Sequence, residues 1–440
     1  MRVTVLGAGI IGVATAWHLL DEGHEVTVVD RQPEAALETS FANGAQISVC
    51  FCEPWASAGA PWKVAKWMLQ DDSPLLFRPR LDPHQWRWAL SFLGQCNDAA
   101  FARNVRQLVA LGRYSHESLK AVVADTGIAY DRLERGILHF FSSAADYRNG
   151  VAAAELMRDQ GVDRRILGRD EVLAVEPALR AFGPNIHGGT YTPSDESGDA
   201  RVFTQKLAAL CAQRGATFLY GHDVLRLERG GDRIDGVVVR SRETGARRTL
   251  RGEQVVAAMG SFTAPLLRPL GIRLNIYPAK GYSATMKLRR PDDASVVSLL
   301  DDTRKIAISR LGDHIRVAGT AEMAGYDTSL AGATSRKRCE ALVRRYEQLF
   351  PGVADTSEPN FWAGLRPSTP NNLPYIGRSA IGNLWLNAGH GTLGWTHGAG
   401  SGRALAELIS GRRPQLDYGF CGDRLPARPP RVTLPSRSWA

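Results

Sequence analysis

Three glycines in a fixed pattern, Gly7-Ala-Gly9-Ile-Ile-Gly12, stand between an apolar run, Arg2 to Leu6, and a stretch with apolar residues at helical spacing, Val13, Ala16, Trp17 and Leu20. Each glycine answers a separate demand. Gly7 permits a tight turn, Gly9 lets the backbone approach a pyrophosphate, and Gly12 lets helix and strand pack closely. The helix N-terminus then offers N–H groups and a partial positive charge to the phosphates. Gly23 fits the end of that helix, and Glu25 to Asp30 reads as a second strand. Asp30 is placed to accept hydrogen bonds from adenosine ribose hydroxyls, and a carboxylate there repels a 2′-phosphate. Contacts to such a ligand are expected from Val3, Leu6, Gly7, Ala8, Gly9, Ile10, Ile11, Gly12, Asp30 and Arg31.

Further along, Gly136 to Phe141, Asn185 to Thr192, Tyr277 to Lys287, Arg304 to Ser309 and His314 to Gly319 read as strands. Ala100 to Ala124 carries a 3.6-residue apolar period, and Ala200 to Arg214 reads as a helix capped by Asp199. Ile234 to Arg240 and Arg247 to Leu250 predict a hairpin turning near Thr244-Gly245, and Gln254 to Ala258 predicts a buried strand. The last element is a helix over Ser401 to Ile409, closed by Gly411. Strand–helix–strand signals occur at the start, at 200–260 and at 383–410, with β-rich stretches of another rhythm between. That pattern fits a dinucleotide-binding domain assembled from 1–90, 170–270 and 360–412. A second domain of 91–169 and 271–359 is inserted, and 413–440 is a tail.

Composition narrows the classes. A 44% hydrophobic and 22% charged chain is an ordinary globular one, neither disordered nor fibrous. The net charge is +9, but the basic residues are 46 Arg and eight Lys spread along the chain, so no nucleic-acid partner is expected. Only Arg424 to Ala440, with four Arg and no acid, reads as an anion-seeking tail. Six Cys are too few for a disulfide scaffold, and none has zinc spacing, so no metal site is expected. Cys50-Phe51-Cys52 reads as small buried side chains. Trp55, Trp62, Trp67, Trp86 and Trp88 read as core and lid rather than as an interfacial contact. The glycines in the apolar start argue against a secretory signal, and no 18-residue window is apolar throughout, so no membrane span is expected.

Ala16, Leu19, Gly23 and Val26 extend the opening motif, which then resembles the start of the glutathione-reductase-like flavoproteins. Trp362-Ala-Gly-Leu-Arg-Pro367, Asn372-Leu-Pro-Tyr-Ile-Gly377 and Asn387-Ala-Gly-His-Gly-Thr-Leu-Gly-Trp-Thr396 resemble the D-amino-acid oxidase and dehydrogenase superfamily. Glu38-Thr-Ser40 and Tyr277-Pro-Ala-Lys-Gly-Tyr-Ser283 look most like its family of small, FAD-bearing subunits of bacterial D-amino-acid dehydrogenases. The resemblance covers residues 1 to about 412. It implies an α/β plus α+β architecture: a Rossmann FAD-binding domain in discontinuous segments with an inserted antiparallel-sheet substrate domain. Further FAD contacts are implied at Thr39, Ser40, Gln46, Ile47, Val224, Gly260, Gly364, Gly389, Gly391, Thr392, Leu393, Gly394, Trp395 and Thr396. Two departures stand in one loop. Asn43-Gly44-Ala45-Gln46 swaps the small residues of the family's Ala-Gly-Gln, and Cys50-Phe51-Cys52 replaces a Pro-Gly. They bear on the preferred substrate.

The implied reaction fixes a D-amino acid by its carboxylate and aims its Cα–H at flavin N5 for hydride transfer. Arg366 is the candidate for the carboxylate, since its planar fork matches two oxygens. Tyr277 and Tyr282 are candidates for a second contact or a pocket wall. His390, between two glycines, is a weaker candidate for a base than for shaping the loop over the flavin. The helix after Gly394 would turn its positive end to the flavin. By resemblance, the electrons pass to a quinone or another carrier, and the enzyme lies in the cytoplasm or against the cytoplasmic face of the inner membrane. A secondary or cyclic amine substrate (D-proline, hydroxyproline, sarcosine, glycine) and a flavin subunit inactive without partners are the alternatives.

Overall fold

The chain's computed structural model describes residues 1–62 and 74–423, so Trp67 and the tail from Arg424 lie outside the described residues. The strand Arg2–Leu6 leads through the glycine turn into the helix Ile10–Asp21, and Glu25–Val29 returns parallel to the first strand. Two glycines of the turn are demanded by space. A Cβ on Gly7, whose φ is +105°, would lie 2.6 Å from the Ala258 oxygen, and one on Gly12 would lie 1.9 Å from the Gly7 oxygen.

This strand is central in a six-stranded sheet ordered Tyr375–Arg378, Leu384–Ala388, Gln254–Ala257, Arg2–Leu6, Glu25–Val29, Thr217–Leu219. Only the Tyr375–Arg378 pairing is antiparallel. The expected hairpin forms between Arg233–Ser241 and Arg247–Leu250, with an unforeseen strand, His222–Gly230, on its other side. That strand is mostly half-exposed, so its residues carry little apolar alternation to read.

A second sheet runs Asn360–Ser368, Tyr277–Lys287, His314–Met323, Ile306–Leu311, Ser298–Asp301, Ile137–Phe141, Gly188–Thr192, Arg165–Leu167. Leu75–Phe77 adds to His314–Met323. It is mixed rather than purely antiparallel: Leu75–Phe77 and the Ser298–Asp301 to Ile137–Phe141 pair run parallel. Leu75–Phe77, Gly188–Thr192 and Asn360–Ser368 join it from stretches that the sequence assigned to the dinucleotide lobe. Strand partners so distant in sequence leave no local signal.

The last helix is Gly394–Ile409, seven residues longer at its start than its pattern predicts. Gly398 and Gly400 lie in the part of the helix that its pattern does not predict and Gly402 in the part that it does, and tertiary packing requires all three. A Cβ on Gly398 would lie 2.9 Å from Ile10 Cγ1, on Gly402 2.7 Å from the Ala14 carbonyl carbon, and on Gly400 2.5 Å from Ser115 Cα of the helix Asp98–Thr126. The missing side chains therefore set how closely the first and last helices approach. Gly402→Ala should destabilise the protein by about 1–3 kcal/mol through overpacking and lower FAD retention. Urea unfolding and the flavin-to-protein absorbance ratio check this.

Candidate active site

The glycine turn and Arg366 border one cavity of about 1300 Å³, larger than the ~300–1,000 Å³ of an ordinary small-molecule site. At one end lie Gly7, Gly9, Ile10, Ile11, Asp30 and Arg31, and at the other Gly281, Thr320 and Arg366. Between them run Thr39, Ser40, Asn43 to Gln46, Ser48, Val224, Gly260 and Gly364, with His390 to Thr396.

At the dinucleotide end, the only neighbour among the described residues that a Cβ on Gly9 would meet is Ser40 Oγ, at 3.4 Å. Its surroundings therefore do not explain a glycine there, and a ligand pressed against the backbone does. Ser40 Oγ accepts from the Ile10 N–H at 3.1 Å, fixing the entry of the helix. Asp30 accepts from Ala8 N at 2.7 Å and Gln32 N at 2.8 Å, one bond to each oxygen. Further lone pairs remain for ribose hydroxyls. Burial raises the Asp30 pKa, against these two backbone donors. Arg31 is ion-paired to Glu38 and lies 4.0 Å over the Phe262 ring.

At the other end, Arg366 stands on Asn360–Ser368 opposite Ala279 of Tyr277–Lys287. Its guanidinium lies over Gly281, where a Cβ would be 2.5 Å from Cζ. Nη1 donates to the Thr320 carbonyl at 2.7 Å. No carboxylate pairs with Arg366 among the described residues. Burial, then the charge of Arg338, pulls its pKa down to about 10, so it stays cationic at neutral pH. The neighbouring Leu365 carbonyl accepts from Thr39 Oγ1 at 2.9 Å and Ser261 Oγ at 3.3 Å. Loops of the dinucleotide end thus hold the strand that carries the cation.

A family model for FAD dependent oxidoreductases matches residues 2–408. The chain belongs to that family. A curated relative, the D-amino acid dehydrogenase of Dechloromonas aromatica (strain RCB), is 49% identical over 420 residues, 96% of this chain and 99% of the relative. Among solved structures, L-proline dehydrogenase from P. horikoshii aligns with a TM-score of 0.71 at 18% identity, over 94% of this chain and 95% of that one. Glycine oxidase from Bacillus cereus ATCC 14579 gives 0.69 at 21%, over 94% and 96%. These two likenesses establish the fold. The cofactor is FAD, and the Gly9 gap, the helix N-terminus and Asp30 fit its diphosphate and ribose.

Not every expected contact reaches the cavity wall of this flavoprotein. Val3, Leu6, Ala8 and Ile47 are core side chains, and neither Gly12 nor Gly389 borders the cavity. Gln46 does border it, but its amide is bound to Ser298 Oγ and the Leu299 carbonyl, both at 3.0 Å. The two tyrosines are five residues apart on a regular strand, so they face opposite ways. Tyr277 shares the Arg366 face but packs at its end with Trp88, Phe92 and Met323, away from the cavity wall. Tyr282 borders the cavity, yet its hydroxyl donates to Glu322 on the other face and lies 3.3 Å from Ser335 Oγ. Neither phenol is placed as a second carboxylate contact. His390 Nε2 is bonded to Ser401 Oγ at 3.1 Å, and burial, then His397, lowers its pKa to about 3.

Cys50 and Cys52 are fully buried behind the wall. Trp88 is core, Trp55 borders the cavity, and Trp62 and Trp86 are exposed, so the tryptophans do not act as one unit. Sequence reasoning missed Gly281, Thr320 and the buried Arg164, which binds Glu53 Oε1 at 3.0 Å and Thr190 Oγ1 at 3.0 Å. One arginine among 46 gives no sequence signal.

Asp30→Ala should lower FAD retention while leaving the reactivity of the flavin still bound nearly unchanged, as flavin content and single-turnover reduction will show. A second test concerns acid. Burial depresses the His397 pKa from 6.5 to about 3. The unfolded chain therefore takes up a proton below 6.5 that the folded one refuses, and stability falls as pH drops from 6.5 towards 3. The loss attached to this group between pH 7 and pH 5 is about 2 kcal/mol. His397→Gln should shrink the measured pH 7-to-5 loss by that amount in denaturant unfolding.

Proposed function

We propose that the chain oxidises D-amino acids, such as D-alanine, to 2-oxo acids and ammonium. The observation that carries this reading is an arginine without an acidic partner among the described residues, facing the same cavity as the dinucleotide turn. The family and the relative named D-amino acid dehydrogenase support it. Arg366 takes the substrate carboxylate in its fork, which fixes one of the four substituents on Cα and leaves the Cα–H to be aimed. Bound FAD supplies the acceptor for the two electrons and the hydrogen of Cα. No base at Cα is needed, in keeping with a neutral His390 bonded to Ser401. The imine hydrolyses in water to the 2-oxo acid and ammonium.

The electrons then pass to a quinone or another carrier, as the relative's name, a dehydrogenase, favours. No helix among the described residues is long and apolar enough to cross a membrane. Trp86, Leu90 and Leu93 are exposed at helical spacing on Pro83–Gln95, and they support a peripheral contact with the inner membrane.

Anaerobic D-alanine should bleach the yellow protein and L-alanine should not. Arg366→Lys, which cannot form the fork, should lower kcat/KM for D-alanine about 30–100-fold. Bleaching by no D-amino acid, or a variant near wild type, contradicts the assignment.

A further inference from the structure

The cavity runs on from Arg366 along one face of the second sheet. Residues paired in register across a ladder share a face, and so do alternate residues of one strand. Arg366 pairs with Ala279, which shares its face with Gly281 and Ser283. Ser283 pairs with Ala318, Ala318 with Ala307, Ala307 with Leu300, and Leu300 with His139, two residues before Phe141. Arg366, Gly281, Ala318, Ala307, Leu300 and Phe141 therefore face one way, and all six border the cavity. The guanidinium lies over Gly281, and four strand spacings separate that strand from the one carrying Phe141. At about 4.8 Å each they make a gap of roughly 19 Å, longer than an amino acid held by its carboxylate.

The far end is built differently from the Arg366 end. Phe51, Phe101 and Phe141 border it. Phe51 and Phe101 belong to one apolar cluster, and the Phe51 ring lies 5.9 Å from that of His139. Phe141 packs against Gly150, where a Cβ would lie 2.1 Å from its Cζ. The charges there are matched. Arg164, with Nη2 3.3 Å from His139 Nδ1, donates from Nη1 to Glu53 Oε1 at 3.0 Å, and Lys305 is paired to Asp302. Asp146 stands in the first turn of the helix Ala144–Asp159, where the helix dipole favours a carboxylate. Asn149 of that helix offers an amide. Asn149, Ala152 and Lys305 border the cavity and are exposed, so this end has a mouth of its own.

We infer that this end of the cavity is the site of the electron acceptor, and that the acceptor is a neutral quinone. Aromatic walls suit a flat ring, and matched ion pairs leave no field to draw an amino acid or another ion. The Asn149 amide and the Lys305 ammonium stand at the rim as donors for quinone carbonyl oxygens. The electron pair and the proton that left Cα together as hydride pass on to the quinone. It takes a second proton from solvent and leaves as the hydroquinone, and the cofactor is oxidised again. Because the two ends lie apart, amino acid and acceptor are bound at once rather than in turn. The inference rests on the reading of the chain as a dehydrogenase that passes its electrons to a carrier, and it gives that carrier a place.

The test uses the FAD-loaded enzyme and its Ala153→Trp and Asn149→Leu variants, matched for flavin content and thermal unfolding. Ala153 borders the cavity from the next turn of the helix that carries Asn149, so an indole there fills the site. Asn149→Leu removes the amide at similar volume. Duroquinone binding to the oxidised enzyme is measured by equilibrium dialysis, with and without propionate as a ligand for Arg366. Bleaching by D-alanine and recovery of the yellow colour with duroquinone are followed separately by stopped flow. Ala153→Trp should weaken duroquinone binding and slow the recovery about tenfold, and Asn149→Leu about fivefold, with bleaching within about twofold of wild type. Propionate should leave duroquinone binding unchanged. Slowed bleaching in Ala153→Trp makes this end the entrance for the amino acid and overturns the inference. So do a wild type that binds no duroquinone, competition between duroquinone and propionate, or recovery at the wild-type rate in both variants. If dithionite-reduced enzyme recovers with duroquinone in an Ala153-dependent way while no D-amino acid bleaches it, the acceptor site stands and the substrate assignment fails.

Discussion

A guanidinium facing a cavity without a carboxylate partner among the described residues is the constraint on which the site depends. Taking such a charge out of water is unfavourable unless hydrogen bonds or a counter-charge offset it. Here the compensation among the described residues is one backbone carbonyl, that of Thr320, with Gly281 leaving room for the guanidinium. In the proposed reading, the missing half is an anion that arrives with the substrate. Recognition then converts an unfavourable feature of the empty protein into a favourable one of the complex, and planar bidentate geometry makes a carboxylate the natural anion.

That cation has value only if the cofactor is fixed relative to it, and the fold provides the link. The first and last helices approach closely because Gly398 and Gly402 carry no side chains where Ile10 and Ala14 lie. The turn of Gly7 to Gly12 opens the first of these helices, and the loop His390 to Thr396 runs into the second. From the same side, Thr39 and Ser261 donate to the Leu365 carbonyl, one residue before Arg366. A chain of short contacts therefore joins the dinucleotide end of the cavity to the Arg366 end.

What the sequence makes legible follows from distance along the chain. The opening strand, turn and helix are read correctly because every residue involved lies within thirty positions. Arg366 is legible through a motif, and the structure brings it to the shared cavity. The tyrosines do not act as a pair, since an odd separation on a regular strand puts them on opposite faces, and Tyr282 lines the cavity while Tyr277 does not. The start of the last helix is missed because glycine's low propensity is local and the demand for Gly398 and Gly400, from Ile10 and Ser115, is tertiary. Thr320 gives no sign at all: neither its bulge nor its positive φ is written in a Gly-Thr-Ala stretch.

The most direct measurement is a crystal structure of the FAD-bound enzyme with a 2-oxo acid in place. The account predicts the diphosphate against the N-terminus of Ile10–Asp21 and the acid's carboxylate within hydrogen-bond reach of the Arg366 fork. A carboxylate held elsewhere in the cavity, or an Arg366 side chain closed onto an acidic residue of the protein, would contradict it.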